Sequence, residues 1–177
     1  RMPPAQLPPA PQPVPRGLRI LVAEDQPANA YLLQAMLRPG GHSIDVAANG
    51  QLALQLWRDR PYDVVLMDMQ MPVLDGLSAT REIRRIEAEE GRDRTPIIAI
   101  SAHAFEADVQ RSLATGCDAH LSKPVAKSDL LAVLGRHVPV PPGSPPPPPP
   151  PLPAAEPDPE LDPALERLAR EPGFEVQ

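Results

Sequence analysis

The sequence lacks the material from which several large protein classes are made. A single cysteine, Cys117, in 177 residues leaves no internal disulfide framework and no Cys-rich zinc site, and fits a reducing compartment. No apolar run approaches the roughly 18 to 20 residues that span a membrane. The opening Arg1-Met2-Pro3-Pro4 has none of the apolar stretch of a secretory signal. Excess positive charge is missing too: the net charge is −6, with 17 Lys and Arg against 23 Asp and Glu. An acidic chain with scattered arginines is a poor binder of nucleic acid. There is no Walker A motif, Gly-rich dinucleotide loop, nucleophile elbow or internal repeat.

Proline is scarce only in the middle. Of 28 prolines, seven lie in residues 1–16 and fifteen in residues 138–177, leaving six between. Each proline removes a backbone donor and fixes φ, so flanks this rich in it cannot build a packed core. The expected organisation is a Pro-rich linker over residues 1–16, one domain over 17–138, and a Pro-rich, disordered tail or linker over 139–177. Within that tail, Pro145 to Pro151 read as polyproline II. Leu161 to Ala169 read as a short helix cut off by Pro172-Gly173.

Inside the domain two hydrophobic periods alternate. Leu18 to Ala23, Asp63 to Met67 and Pro96 to Ile100 are short, aliphatic and apolar at consecutive positions, as strands buried on both faces are. Ser43 to Ala47 and Cys117 to Leu121 are weaker candidates. Between them run helix-period stripes: Ala30, Leu33 and Leu37; Ala53, Leu56 and Trp57; Ala79, Ile83 and Ile86; Phe105, Val109 and Leu113; Leu130, Leu134 and Val138. All five stripes are expected to face the core. Five strands alternating with five helices predict an α/β fold: a doubly wound parallel sheet with right-handed crossovers and helices on both faces.

Ligands of such sheets bind beyond the carboxyl ends of the strands. The residues expected there are Glu24 and Asp25 after the first strand, Asp68 after the third, Ser101 after the fourth and Lys123 after the fifth. One Asp after a strand is more often a turn former or a cap than a ligand. One Ser would cap the next helix, and one Lys would be solvated. Their joint placement carries more information. Crowded carboxylates suit a hard divalent cation such as Mg²⁺ (or Mn²⁺), which takes carboxylate, phosphate and water oxygens. With a metal and Lys123 as positive charges, Asp68 could attack phosphorus as a carboxylate nucleophile.

These residues resemble a response-regulator receiver domain, and the resemblance covers essentially all of residues 17–137. It rests on Ile20-Leu21-Val22-Ala23-Glu24-Asp25, Asp63 to Asp68, Met71-Pro72 with Asp75-Gly76, Ile97 to Ser101, and Lys123-Pro124. Asp25-Gln26-Pro27-Ala28-Asn29 and Ser101-Ala102-His103-Ala104 resemble the receivers of hybrid sensor histidine kinases. The resemblance implies a flavodoxin-like sheet of order 2-1-3-4-5, with Asp68 as phospho-acceptor. It implies Mg²⁺ held by Asp25, Asp68, the Gln70 backbone carbonyl and, through water, Glu24. Ser101 and Lys123 would bind the phosphoryl oxygens, and Lys123-Pro124 is compatible with the family's cis peptide. Ser101 and His120 would form the switch pair; His120 stands where the family often has Tyr or Phe. Gln70 and His103, two residues past Asp68 and Ser101, would tune the lifetime of the phosphate.

The function so implied is a phosphorelay receiver, phosphorylated by a histidine kinase or a histidine phosphotransfer domain. Its own chemistry is self-phosphorylation from small donors and self-dephosphorylation. The parent chain is read as a hybrid histidine kinase and the setting as cytoplasmic, with no nucleic acid and no membrane contact by this segment; a membrane anchor elsewhere in the parent is compatible. A haloacid-dehalogenase-type phosphatase would have a second Asp where Gln70 stands. The alternative, a pseudo-receiver that binds partners without phosphorylation, usually lacks a site residue, and none is missing. Cys117 is expected to be a small buried filler, and His42 and His137 surface residues. Met67, Met69 and Met71 are expected to pack rather than bind metal.

Overall fold

The computed structural model describes residues 14–103 and 105–139. Five strands, β1 (Arg19–Ala23), β2 (Ser43–Ala47), β3 (Val64–Asp68), β4 (Ile97–Ser101) and β5 (Ala119–Ser122), form one sheet. Every pairing is parallel and the order is β2-β1-β3-β4-β5. Four helices connect them and a fifth follows β5: α1 (Pro27–Leu37), α2 (Gly50–Asp59), α3 (Gly76–Glu90), α4 (Glu106–Thr115) and α5 (Lys127–His137). This is the doubly wound architecture expected from the alternating periods. The expected polyproline tract and short tail helix, and most of both linkers, lie outside the described residues.

The period of two along each strand divides the core into layers. Ile20, Val22, Val64, Leu66, Ile98 and Ile100 face Leu33 and Leu37 of α1 and Leu130 and Leu134 of α5. Their neighbours Leu21, Ala23, Val65, Met67, Ile97 and Ala99 face Ala53 and Trp57 of α2 and Ala79, Ile83 and Ile86 of α3. Both faces of β3 and β4 are buried throughout, which is why their side chains are apolar at consecutive positions. Burying each such aliphatic side chain contributes roughly 1.5–3 kcal/mol relative to leaving it in water.

One expected stripe is corrected. Phe105 and Leu113 do not pack into the core; they are 68% and 39% exposed, and the only fully buried residue of α4 is Ser112. The inward line of α4 thus runs through a small polar side chain, leaving its larger apolar groups outward. Strand ends shift as well. Asp68 and Ser101 are the last residues of their strands rather than the first beyond them, because the ladder continues: Met69 N–H donates to the Ile100 carbonyl (2.9 Å) and Lys123 N–H to the Ser101 carbonyl (2.8 Å). Cys117 precedes β5 instead of opening it, since its N–H closes α4 on the Ser112 carbonyl (3.1 Å). It is buried, as expected, and burial pushes its thiol pKa up, away from thiolate chemistry. His42 is half-buried rather than on the surface, and its Nδ1 accepts from Leu18 N–H (3.2 Å).

The amino ends of the strands carry a polar network that ties the layers together. Arg84 of α3 reaches Glu87 (2.7 Å), Asp118 (2.9 Å) and the carbonyls of Thr95 and Gly116 (both 2.9 Å). Trp57 Nε1–H donates to Thr95 Oγ1 (3.0 Å), and the Arg92 guanidinium lies 5.2 Å from the centre of its ring. The sole tryptophan is therefore anchored at the edge opposite the strand carboxyl ends.

Candidate metal and phosphoryl centre

Strand pairing carries the acidic residues to one place. The central position of β1 and β3 means that whatever follows or ends them meets at the carboxyl edge. Glu24 stays in register because its N–H donates to the Ala47 carbonyl (3.0 Å). Carboxylate oxygens of Glu24, Asp25 and Asp68 lie within 4.8 Å of one another. Glu24 and Asp68 are only 2% and 3% exposed, and Asp25 is half-buried.

Each buried carboxylate is held by named donors. Glu24 Oε1 accepts from Gln26 N–H (3.2 Å) and from Asn29 Nδ2–H (3.3 Å). Glu24 Oε2 is buried and accepts no hydrogen bond; its charge is met by Lys123 Nζ at 2.9 Å. Asp68 Oδ1 accepts from Gln70 N–H (3.0 Å) and Oδ2 from Lys123 Nζ (2.7 Å). Burial pulls the Lys123 pKa down, but the two carboxylates outweigh it and leave the ammonium held above its ordinary value. The single lysine thus bridges two carboxylates that would otherwise repel at close range. The Lys123–Pro124 peptide is cis.

The donor set fits a hard divalent cation. It is three carboxylates, all oxygen, two of them withdrawn from water, and the only cation beside the buried Glu24 Oε2 is the Lys123 ammonium. A hollow of about 800 Å³ lies elsewhere: Trp57, Arg60, Tyr62, Arg92, Arg94 and Asp118 line it at the opposite edge, and it shares no residue with the carboxylates. A smaller one of about 310 Å³ adjoins the site, with Glu24 and Lys123 beside Leu32, Ile100 and Val125.

The remaining sequence-derived residues fall around this centre, not all in contact with it. Ser101 is buried at the end of β4, and its Oγ accepts from His103 N–H (3.1 Å) and is hydrogen-bonded to neither Asp68 nor Lys123. Gln70 and His103 are exposed on the rim, the latter stacked on Phe105 with ring centres 6.2 Å apart. His120 sits on β5 opposite Ala99, two register positions below the Ser101–Ser122 pair. Ser112 Oγ donates to the Val109 carbonyl (2.8 Å), so it accepts from His120 Nδ1–H at 3.0 Å. His120 Nε2 is buried with no hydrogen-bond partner among the described residues. Two contributors had escaped sequence reasoning. Asn29 lies inside the quoted Asp25-to-Asn29 string, where one helical turn was the available signal. Ser112, three residues after Val109 and so on the same side of α4, is polar, and a search for apolar stripes passes over it.

Comparison with known proteins bears on this geometry. The response regulator receiver domain model matches residues 20–135. Hybrid signal transduction histidine kinase G of Dictyostelium discoideum is 40% identical over 125 residues, 70% of this chain but 4% of that protein; the chain thus spans a small part of that relative. The receiver domain of the sensor histidine kinase PA1611 from Pseudomonas aeruginosa, solved with magnesium in its active-site cleft, is 40% identical with a TM-score of 0.61. That match covers 68% of this chain and 97% of the other. The receiver domain of the Saccharomyces cerevisiae response regulator Ssk1, solved with the histidine phosphotransfer protein Ypd1, is 30% identical with a TM-score of 0.66. It covers 71% of this chain and 90% of the other.

Proposed function

The chain belongs to the response regulator receiver domain family, and we propose that its acidic centre takes a phosphoryl group from a phosphohistidine onto Asp68. The observation that carries this reading is the way Asp68 is held. It is buried, one oxygen is fixed by Gln70 N–H and the other by Lys123, and two further carboxylates stand beside it. A carboxylate so oriented can approach phosphorus in line while the imidazole leaves. The P–N bond breaks as the Asp68 O–P bond forms, giving an acyl phosphate and a neutral histidine.

Glu24, Asp25, Asp68 and the Gln70 carbonyl would hold Mg²⁺ or Mn²⁺, which when bound neutralises charge on the transferring phosphoryl group. Lys123 would turn from Glu24 and Asp68 towards the phosphoryl oxygens, and the Ser101 hydroxyl would donate to another. Drawing Ser101 inward frees space above His120, and its imidazole then biases the α4–β5 surface between two arrangements. Water attacking the acyl phosphate in line passes Gln70 and His103, so these two set its lifetime.

The donor is a histidine kinase or a histidine phosphotransfer domain, in keeping with the Ypd1 partner of the yeast neighbour. Exposed apolar side chains ring the strand ends on the segments that follow them, Tyr31 and Leu32 on α1, then Val73 and Phe105, and suit such a docking partner. The folding unit is residues 17–138, flanked by linkers, within a cytoplasmic part of a hybrid kinase. No helix among the described residues is long and apolar enough to cross a membrane. The test is intact-mass measurement with acetyl phosphate and Mg²⁺. The expected result is one added phosphoryl group on the unaltered chain and none on Asp68→Asn; undiminished labelling of the variant would falsify the assignment.

A further inference from the structure

We infer that Gly50, at the start of α2, is a positioning residue for the loop that follows Asp68 and sets the affinity of the acidic centre for Mg²⁺. The inference rests on the metal reading above and adds a residue remote from every carboxylate in sequence. Gly50 N–H donates to the Leu74 carbonyl (3.0 Å). The approach is so close that a Cβ on Gly50 would lie 2.2 Å from that oxygen and 2.9 Å from its carbon. Both are backbone atoms, so neither can rotate away as a side chain would.

The loop held in this way is strained. Leu74 N–H donates back to the Pro72 carbonyl (2.8 Å), closing a three-residue turn over Val73, whose φ is +69°. Such positive-φ γ-turns are rare, and for a β-branched residue the conformation is costly. Val73 is 75% exposed, so packing of its own side chain does not hold it there. Strain of this kind persists only where surrounding contacts over-determine the backbone. Two such contacts are present. At the far end Gly76 N–H donates to the Met69 carbonyl (3.3 Å), and a Cβ there would lie 2.1 Å from the Asp68 carbonyl oxygen. At the crown stands Gly50.

Between these clamps the chain runs through Gln70, Met71 and Pro72. Proline locks one φ and the hydrogen-bonded turn locks the next, so little slack separates Leu74 from Gln70. Pushing the Leu74 carbonyl off α2 therefore displaces the Gln70 peptide. That peptide gives its N–H to Asp68 Oδ1 and its carbonyl is the one the metal would take. Gly50 thus acts on the centre through Leu74 and Gln70.

The test is calorimetric titration of Mg²⁺ into the unaltered chain, Gly50→Ala and Asn49→Ala. Asn49 caps α2, its Oδ1 accepting from Leu52 N–H (2.8 Å), so its loss weakens the same helix end without adding a Cβ. Gly50→Ala is expected to raise the Mg²⁺ Kd roughly tenfold, the size seen for outer-shell changes at metal sites. Asn49→Ala is expected to leave it within about twofold while lowering Tm by about 4 °C. An unchanged Kd in Gly50→Ala, or an equal loss in Asn49→Ala, overturns the inference. Should Gly50→Ala not fold, amide exchange of the unaltered chain decides. By reciprocity of coupled equilibria, Mg²⁺ must slow exchange at the Gly50 amide; exchange there unaffected by Mg²⁺ that does shift the Gln70 resonance overturns it. An unaltered chain that binds no Mg²⁺ at all overturns the metal reading, and this inference with it.

Discussion

Lys123→Met separates the two jobs that one ammonium performs. Methionine keeps most of the stem that lies against the site and removes only the charge. Without it, Glu24 and Asp68, both nearly inaccessible to water, face each other and Asp25 uncompensated, with ligand oxygens within 4.8 Å. Two unit charges at that separation repel by about 3.5 kcal/mol at an effective dielectric of about 20. Removing one partner from a buried ion pair costs about 3–5 kcal/mol, and the lysine side chain is 24% exposed. A loss of about 3 kcal/mol in metal-free buffer follows.

Mg²⁺ then has an opposite effect on the two chains' relative standing. In the unaltered chain it competes with Lys123 for Asp68 and Glu24; in the variant it meets the same carboxylates without a rival. A tenfold tighter Kd would return about 1.4 kcal/mol at saturating metal, roughly halving the stability gap. The assay is urea unfolding of both chains with EDTA and with a series of Mg²⁺ concentrations, beside phosphorylation by acetyl phosphate. The variant should be less stable, bind Mg²⁺ more tightly and label more slowly, because no ammonium is left for the phosphoryl oxygens. A stability gap that is the same at every Mg²⁺ concentration would refute the reasoning.

Other consequences concern the rim and the opposite edge. Tyr62 is pushed up to about 12 by burial and by its hydrogen bond to Asp45 (2.7 Å). Its contribution is complete below the unfolded value near 10 and is lost as pH rises through the folded one. Urea midpoints should therefore fall between about pH 10 and 12, and Tyr62→Phe should flatten that slope; equal slopes would count against it. Trp57, fixed to Thr95 at the amino edge of the sheet, should show no change of fluorescence on Mg²⁺ addition, so a clear quench would place the ring or the metal elsewhere. Gln70→Ala and His103→Ala should each shorten the acyl-phosphate lifetime severalfold, read by loss of added mass with time, if their side chains shield phosphorus. Slower decay in Gln70→Ala would mean that it positions the attacking water instead.

Much of this was legible in the order of residues. Short consecutive apolar runs at Leu18 to Ala23, Asp63 to Met67 and Pro96 to Ile100 imply strands covered on both faces, and they are. Polar groups just beyond such runs have one place to go, the carboxyl edge, and Glu24, Asp25, Asp68 and Lys123 meet there. The helix stripes were legible wherever a helix packs on the sheet through aliphatic side chains. The stripe of α4 was not, because periodicity reports that apolar residues share a face, not that anything covers it. Phe105 and Leu113 stay 68% and 39% exposed, outside the core that the other stripes enter.

Local sequence thus determined the sheet, its layers and the list of charged groups at its edge, since these follow from the two- and 3.6-residue periods of backbone geometry. Only the tertiary structure decided who holds whom. That Lys123 bridges Glu24 and Asp68, that Ser112 of α4 meets His120, and that Gly50 closes on Leu74 24 residues later depend on strand register and helix placement. No local pattern carries that information, because contacts between distant segments are set by how whole elements pack, not by the residues beside them in the chain.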